Sequence, residues 1–210
     1  MAHGDVLPSD RAVIGAKDYV VAADGGAFAL ERWKLLPHLV VGDMDSLGQS
    51  GVERFARLGI PVAQFSPEKD ESDLELAVAQ AIAAGATEVV LLGALGGDRL
   101  DHETANLLLL ADPGYDRVRI EARRGALRIR AVRGQGSLLL GGPLGALVTL
   151  LPVNGDAAGV TTEGLRYALH GETLRFGRAR GLSNEVASVP ARVSLDTGTL
   201  LVFETPQGGT

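Results

Sequence analysis

Cysteine is absent from the 210 residues, which excludes disulfides, thiolate metal sites and cysteine nucleophiles, so any metal must be held by oxygen or imidazole. Basic residues are in deficit, 20 Lys and Arg against 26 Asp and Glu, and the formal net charge of -6 argues against a general nucleic-acid binder. No apolar run is long enough to cross a bilayer: the longest, residues 137–153, is cut by Gly141-Gly142-Pro143 and by Gly145. Residues 1–11 lack the basic stretch and apolar run of a signal peptide, so a cytoplasmic protein is expected, with a small-molecule partner and no membrane. Also missing are a Walker sequence, the dinucleotide glycine fingerprint, a Gly-x-Ser-x-Gly elbow and a His-Glu-x-x-His pair. P-loop, dehydrogenase, serine hydrolase and zinc protease chemistries therefore lose support. There are no heptads, low-complexity tracts or repeats.

What is present is 46% hydrophobic residues, enough for one large core or two packed units. The first half alternates short apolar runs with helical patterns, as βαβ units do. Strands are expected at residues 19–23, 39–41, 62–65 and 88–92. Between the last two, Leu74, Ala77, Val78, Ala81 and Ile82 recur at helical spacing behind a Ser72–Glu75 capping box. A further helix fits residues 100–111, stopped by Asp112-Pro113-Gly114. After Arg123 the helical period gives way to short β-prone pieces at residues 126–132, 146–151, 173–176 and 199–203, separated by glycine and proline. The expectation is an α/β fold: residues 1–123 as a doubly wound, mostly parallel sheet, and residues 124–210 as a smaller antiparallel β-sandwich or barrel.

Ligands of doubly wound sheets lie beyond the carboxyl ends of the strands. The four expected strands run into Asp24-Gly25-Gly26-Ala27, Gly42-Asp43-Met44-Asp45-Ser46, Lys69-Asp70-Glu71-Ser72-Asp73, and a glycine-rich segment from Gly93 through Gly96, Gly97, Arg99, Asp101 and His102. Asp43 and Asp45, two apart, point the same way if the chain stays extended. Asp70 and Asp73, three apart at a helix start, share a face if Asp70 follows the helical path. Four such carboxylates make a hard, all-oxygen site suited to magnesium bridging to phosphates. Taken singly, each pair also reads as ordinary turn residues and a helix-dipole charge. The glycines would let the backbone approach phosphate oxygens. Arg99 could add a bidentate contact and Lys69 a point charge, although both types are usually solvated surface residues. His3, His38 and His170, with no acidic cluster beside them, read as structural.

These segments resemble, in order, the motifs of the thiamine pyrophosphokinase family, and Gly181-Leu182-Ser183-Asn184-Glu185 resembles the Ser-Asn-Glu motif of its β-domain. The resemblance runs from Asp24 to Val186. It implies an α/β catalytic domain, a β-rich thiamine-binding domain, a homodimer with active sites at the subunit interface, and transfer of diphosphate from ATP to the thiamine hydroxyl, leaving AMP. By position, Asp43, Asp45, Asp70 and Asp73 would hold Mg2+. Lys69, Gly96, Gly97, Arg99, Asp101 and His102 would surround the phosphates, Asp24 would line the cleft, and Ser183 and Asn184 would contact thiamine. Three departures stand out: Asp98 is inserted before Arg99, Ser72 replaces the usual threonine, and the family's complete first strand and glycine turn are here the stub Ala2-His3-Gly4. The alternatives are a pyrophosphokinase acting on a pterin alcohol, a non-catalytic sensor of nucleotide or thiamine, and a magnesium phosphohydrolase.

Overall fold

A computed structural model describes residues 1–207 and divides the chain into two compact units. The first comprises Met1–Asn106 with Arg117–Arg119, and the second Leu107–Asp116 with the chain from Ile120 onward. Strands and helices are mixed as expected: a small parallel sheet belongs to the first unit and a larger antiparallel sheet to the second.

In the first unit β1 (Val21–Ala23), β2 (Leu39–Gly42) and β3 (Val62–Gln64) pair in parallel in the order β1-β2-β3. β4 (Glu88–Leu92) follows. The stub at residues 1–4 bonds to two of these strands. Ala23 N donates to Met1 O at 2.9 Å, and Ala2 N donates to Leu92 O at 2.8 Å. The Met1 ammonium is buried and donates to Val21 O at 2.7 Å, and that burial lowers its pKa from 8.0 to about 5. A groove of about 580 Å³ beside it is lined by Met1, Val20, Val21, Leu74, Val78 and Val89, among others.

Strand alternation sends side chains to two clusters. Val21, Ala23 and Val41 pack with Ala77 of α3 (Asp73–Ala83), whereas Ala22 and Val40 pack with Leu30 of α1 (Gly26–Arg32) and Phe55 of α2 (Gly48–Arg57). α3 begins where its capping box predicts. Glu75 N donates to Ser72 Oγ at 3.2 Å and Ser72 N to Glu75 Oε2 at 2.6 Å. Burying Leu74 and Val78 stabilises this packing by about 1.5–3 kcal/mol each. α4 (Leu100–Leu109) ends two residues earlier than its expected stop.

The second unit contains β5 (Arg119–Arg124) from Ile120 onward, β6 (Leu127–Arg133), β7 (Ser137–Leu140), β8 (Leu147–Glu163), β9 (Glu172–Leu174), β10 (Asn184–Glu185), β11 (Ala191–Ser194) and β12 (Thr197–Thr205). Their order is β5-β6-β12-β8-β11-β7, with β9 and β10 also on β8. β8 is far longer than the 146–151 piece expected, because it continues through Asn154 and Gly155, both at positive φ. Its first part pairs with β12, and Thr161 to Glu163 pair with β11. Val148, Leu150, Val160, Leu174, Val193 and Leu200 fill the core it wraps. No helix among the described residues is long and apolar enough to cross a membrane.

Candidate active site

Each parallel strand delivers a polar turn at its carboxyl end, and glycine governs how closely those turns approach. Asp24 follows β1 at φ 39° and is buried. Its carboxylate serves the β2 turn: Oδ2 accepts from Ser46 N at 3.0 Å and Oδ1 from Leu47 N at 3.1 Å. Gly42, at φ +147°, stands between Asp24 and the start of α3. A Cβ there would lie 2.9 Å from Asp73 Cγ and 3.0 Å from Asp24 Cβ, so only glycine lets these two elements meet.

Beyond Gly42, Met44 turns into the core at φ 68°, leaving Asp43 and Asp45 on its flanks. Asp45 N donates to Asp43 Oδ1 at 3.2 Å, and Ser46 Oγ donates to Asp45 Oδ1 at 3.0 Å. Asp24, Asp43 and Asp45 each present an oxygen within 4.8 Å of the others, a spacing one cation could span. A hydrogen bond shared with the Asp24 carboxyl, then the Ser46 hydroxyl, holds Asp45 below the usual carboxylate range.

Lys69 enters this group from the segment before α3. Its ammonium lies 3.1 Å from Asp43 Oδ2 and 3.0 Å from Asp73 Oδ1. Burial disfavours that charge, but the two carboxylates outweigh it and raise the lysine's pKa overall. Burial raises Asp73, partly offset by Lys69 and reinforced by the Asp43 and Asp24 charges. Asp73 Oδ1 is buried, and its partner is the Lys69 ammonium 3.0 Å away. A buried carboxylate oxygen held by a lone ammonium, beside the carboxylates of Asp24, Asp43 and Asp45, fits a hard divalent cation.

The other expected site residues are placed as follows. Asp70 is exposed and stands outside the three-carboxylate group. Gly96 and Gly97 take φ of 74° and 88°, and a Cβ on Gly96 would meet Asp5 Oδ2 at 2.6 Å, so both need glycine. Arg99 and Asp101 are exposed and paired bidentately with each other, at 2.9 and 2.6 Å, which raises the arginine and lowers the carboxylate. His102 is exposed beside them. Asn106, not singled out as a site residue, anchors the glycine turn by donating from Nδ2 to Ala94 O at 2.8 Å.

In the second unit Ser183 is exposed at φ 57°, with its N donating to Thr149 Oγ1 at 3.2 Å. Asn184 is buried in β10 against β8 rather than in an open loop. Its Oδ1 accepts from Tyr167 N at 3.0 Å and from Glu185 N at 2.9 Å, and its Nδ2 donates to Tyr167 O at 2.7 Å. Its amide is therefore committed to shaping the surface around Tyr167, 61% exposed, and Ser183 is the member of the motif that faces solvent.

A parallel sheet whose strand ends gather carboxylates around a lysine, joined to an antiparallel β unit, defines a two-part α/β protein with a site suited to cation-assisted phosphate chemistry. The family profile for the thiamin pyrophosphokinase catalytic domain matches residues 11–122, and that for the thiamin pyrophosphokinase vitamin B1 binding domain matches residues 135–200. The chain belongs to the thiamin pyrophosphokinase family.

Thiamine pyrophosphokinase 1 of Oryza sativa subsp. japonica is 27% identical over 173 residues, covering 79% of this chain and 65% of its own length, so the chain spans less than two thirds of that relative. Thiamine pyrophosphokinase of Bacillus subtilis is 23% identical over 192 residues, covering 87% of this chain and 85% of its own. Among solved structures, thiamin pyrophosphokinase from Geobacillus thermodenitrificans superposes at TM-score 0.81 with 27% identity, covering 99% of this chain and 96% of that one. The Bacillus subtilis structure shares the fold at TM-score 0.86 and 22% identity, over 98% and 97% of the two chains.

Proposed function

We propose that the protein is a thiamine pyrophosphokinase that moves the terminal diphosphate of ATP onto the hydroxyl of thiamine. The thiamine oxygen bonds to the β-phosphorus of ATP, the bond from that phosphorus to the α,β-bridging oxygen breaks, and AMP departs with the bridging oxygen. Catalysis of this kind rests on in-line positioning and on neutralising charge at the leaving oxygens. The observation that carries the reading is the carboxylate group at the strand ends, in a chain whose two parts match the two domains of one family.

Asp43, Asp45 and Asp73, with Asp24 beside them, would hold Mg2+, which supplies charge neutralisation at the phosphates when bound. Asp70 completes the acidic set on this reading. Lys69 and Arg99 bind phosphate oxygens, the turn of Gly96 and Gly97 lets backbone approach them, and Asp101 and His102 orient Arg99 and the nucleotide. A carboxylate at the alcohol, Asp70 or Asp73, accepts its proton. Ser183 contacts thiamine and Asn184 shapes the surface that receives it. A doubly wound catalytic unit, a cytoplasmic setting and a homodimer belong to the same reading. The exposed Leu144, Tyr167, Phe176 and Leu182 of the second unit are apolar surface a partner subunit would cover.

The test is to incubate the purified protein with ATP, Mg2+ and thiamine and to follow AMP and thiamine diphosphate by chromatography. Equal formation of both, dependent on thiamine and on Mg2+, is expected. Release of phosphate without an acceptor would instead indicate a hydrolase. AMP formation only with a pterin alcohol would move the substrate, and nucleotide binding without turnover would leave a sensor.

A further inference from the structure

The position between Asp43 and Asp73 already holds a positive charge, and it belongs to the chain itself. Lys69 Nζ sits 3.1 Å from one carboxylate and 3.0 Å from the other, and its side chain is only 12% exposed. Asp43 turns its remaining oxygen to the Asp45 amide, so Oδ2, the oxygen directed into the site, is the one the lysine occupies. Asp73 Oδ1, buried, has the same ammonium as its partner. Gly42 brings Asp24 and Asp73 into close approach, and like charges that near repel unless a cation lies among them. A lysine suits this task better than an arginine would, because it is a compact point charge on a flexible stem and can withdraw without unlocking a bidentate fork.

We propose that Lys69 is the internal counter-cation of the metal-free site. Its ammonium holds Asp43 and Asp73 together in the absence of a divalent ion, and it must give up those oxygens before they can ligate one. The proposal rests on the divalent-cation reading of the carboxylate group. It deepens that reading by making cation loading an exchange of one positive charge for another, with the freed ammonium then available to phosphate oxygens. Without the lysine the carboxylates of Asp24, Asp43, Asp45 and Asp73 repel one another with no ammonium between Asp43 and Asp73, so a variant lacking it should be less stable without metal and more avid for it.

The experiment uses the full chain without nucleotide and Mn2+ alone as probe, titrated calorimetrically and by the electron paramagnetic resonance of free Mn2+. Lys69→Met is expected to bind Mn2+ about tenfold more tightly than the parent chain, as removal of a neighbouring unit charge requires. Lys69→Arg, which keeps the charge, should show no such gain. The melting temperature of Lys69→Met should fall in the metal-free state, and saturating Mn2+ should raise it by more than it raises the parent's. Lys69→Gln provides the same readings if methionine perturbs folding. Mn2+ affinity in Lys69→Met and Lys69→Gln equal to or weaker than the parent's, with the same loss of melting temperature in the presence and absence of metal, would make Lys69 a structural tie and overturn the proposal while leaving the metal site intact. Failure of the parent and every variant to bind Mn2+ is a different result: it would remove the metal site and the proposal with it.

Discussion

Asn184 grips both backbone polar groups of Tyr167, accepting from its N–H at 3.0 Å and donating to its carbonyl at 2.7 Å. A side chain buried on β10 thereby fixes a residue 17 positions earlier whose ring is 61% exposed. Asn184→Ala leaves those groups and the Glu185 amide without their partner and is expected to cost about 1–3 kcal/mol in chemical denaturation. On the proposed function it should raise the KM for thiamine more than that for ATP. An unchanged thiamine KM in a folded variant would place substrate recognition elsewhere.

Asp24 and Asp43 are both carboxylates of one group, yet their neighbours give them different work. Asp24 uses each oxygen on a backbone amide of the β2 turn, whereas Asp43 directs one oxygen to Lys69. Asp24→Ala should therefore lower stability by about 1–3 kcal/mol as well as turnover, by orphaning the Ser46 and Leu47 amides. On the proposed function, Asp43→Ala should abolish turnover and leave the fold intact. Thermal melts beside activity assays separate the two, and full activity of Asp43→Ala would remove the metal site as drawn.

Gly42→Ala places a methyl group against Asp73 Cγ and Asp24 Cβ, at 2.9 and 3.0 Å, and at a φ that alanine rarely adopts. The expected result is a loss of about 1–3 kcal/mol from backbone strain alone, together with weaker Mn2+ binding as α3 is pushed from the strand ends. Wild-type Mn2+ affinity in this variant would show that the close approach is dispensable.

The Met1 ammonium supplies a pH prediction. Its folded-state pKa of about 5 lies below the ordinary 8.0, so between these values the unfolded chain binds a proton that the folded chain does not, and stability should rise with pH from about 5 to 8. Acetylating the amine abolishes that titration. Acetylated and free chains melted from pH 5 to 8.5 should differ most at the acid end and converge at the alkaline end. Parallel curves would show that the amine is not buried in solution.

The sequence was most legible where a local signal and a periodic one coincide. Ser72 and Glu75 with Leu74, Ala77 and Val78 mark α3 because cap and apolar face agree. α1 escaped notice because it is seven residues long and opens on glycine, and α2 because its first turns are Gly48, Gln49, Ser50 and Gly51. At the site, the spacing of Asp43 and Asp45 marks the pair, but Met44 between them takes φ 68°, so a turn and not the expected extended alternation brings their carboxylates together. The clamp of Asp24 on Ser46 and Leu47, and the bond from Lys69 to Asp43, span 22 to 26 residues, distances at which no local pattern operates. Glu204, buried and bonded to Arg130 and to the Gly141 and Gly142 amides, gave no signal for the same reason.

β12 lies between β6 and β8, so the last strand among the described residues is an interior strand of its sheet. As the protein leaves the ribosome, β6 and β8 emerge with facing edges unpaired, and they stay so until residues 197–205 arrive. Loops of more than 60 residues from β6 and more than 30 from β8 then close at once, which makes this the slow event in the unit's assembly. A chain cut short before Thr197 would leave two open edges able to pair with those of other chains, so loss of residues 197–210 would cause aggregation rather than a slightly smaller protein.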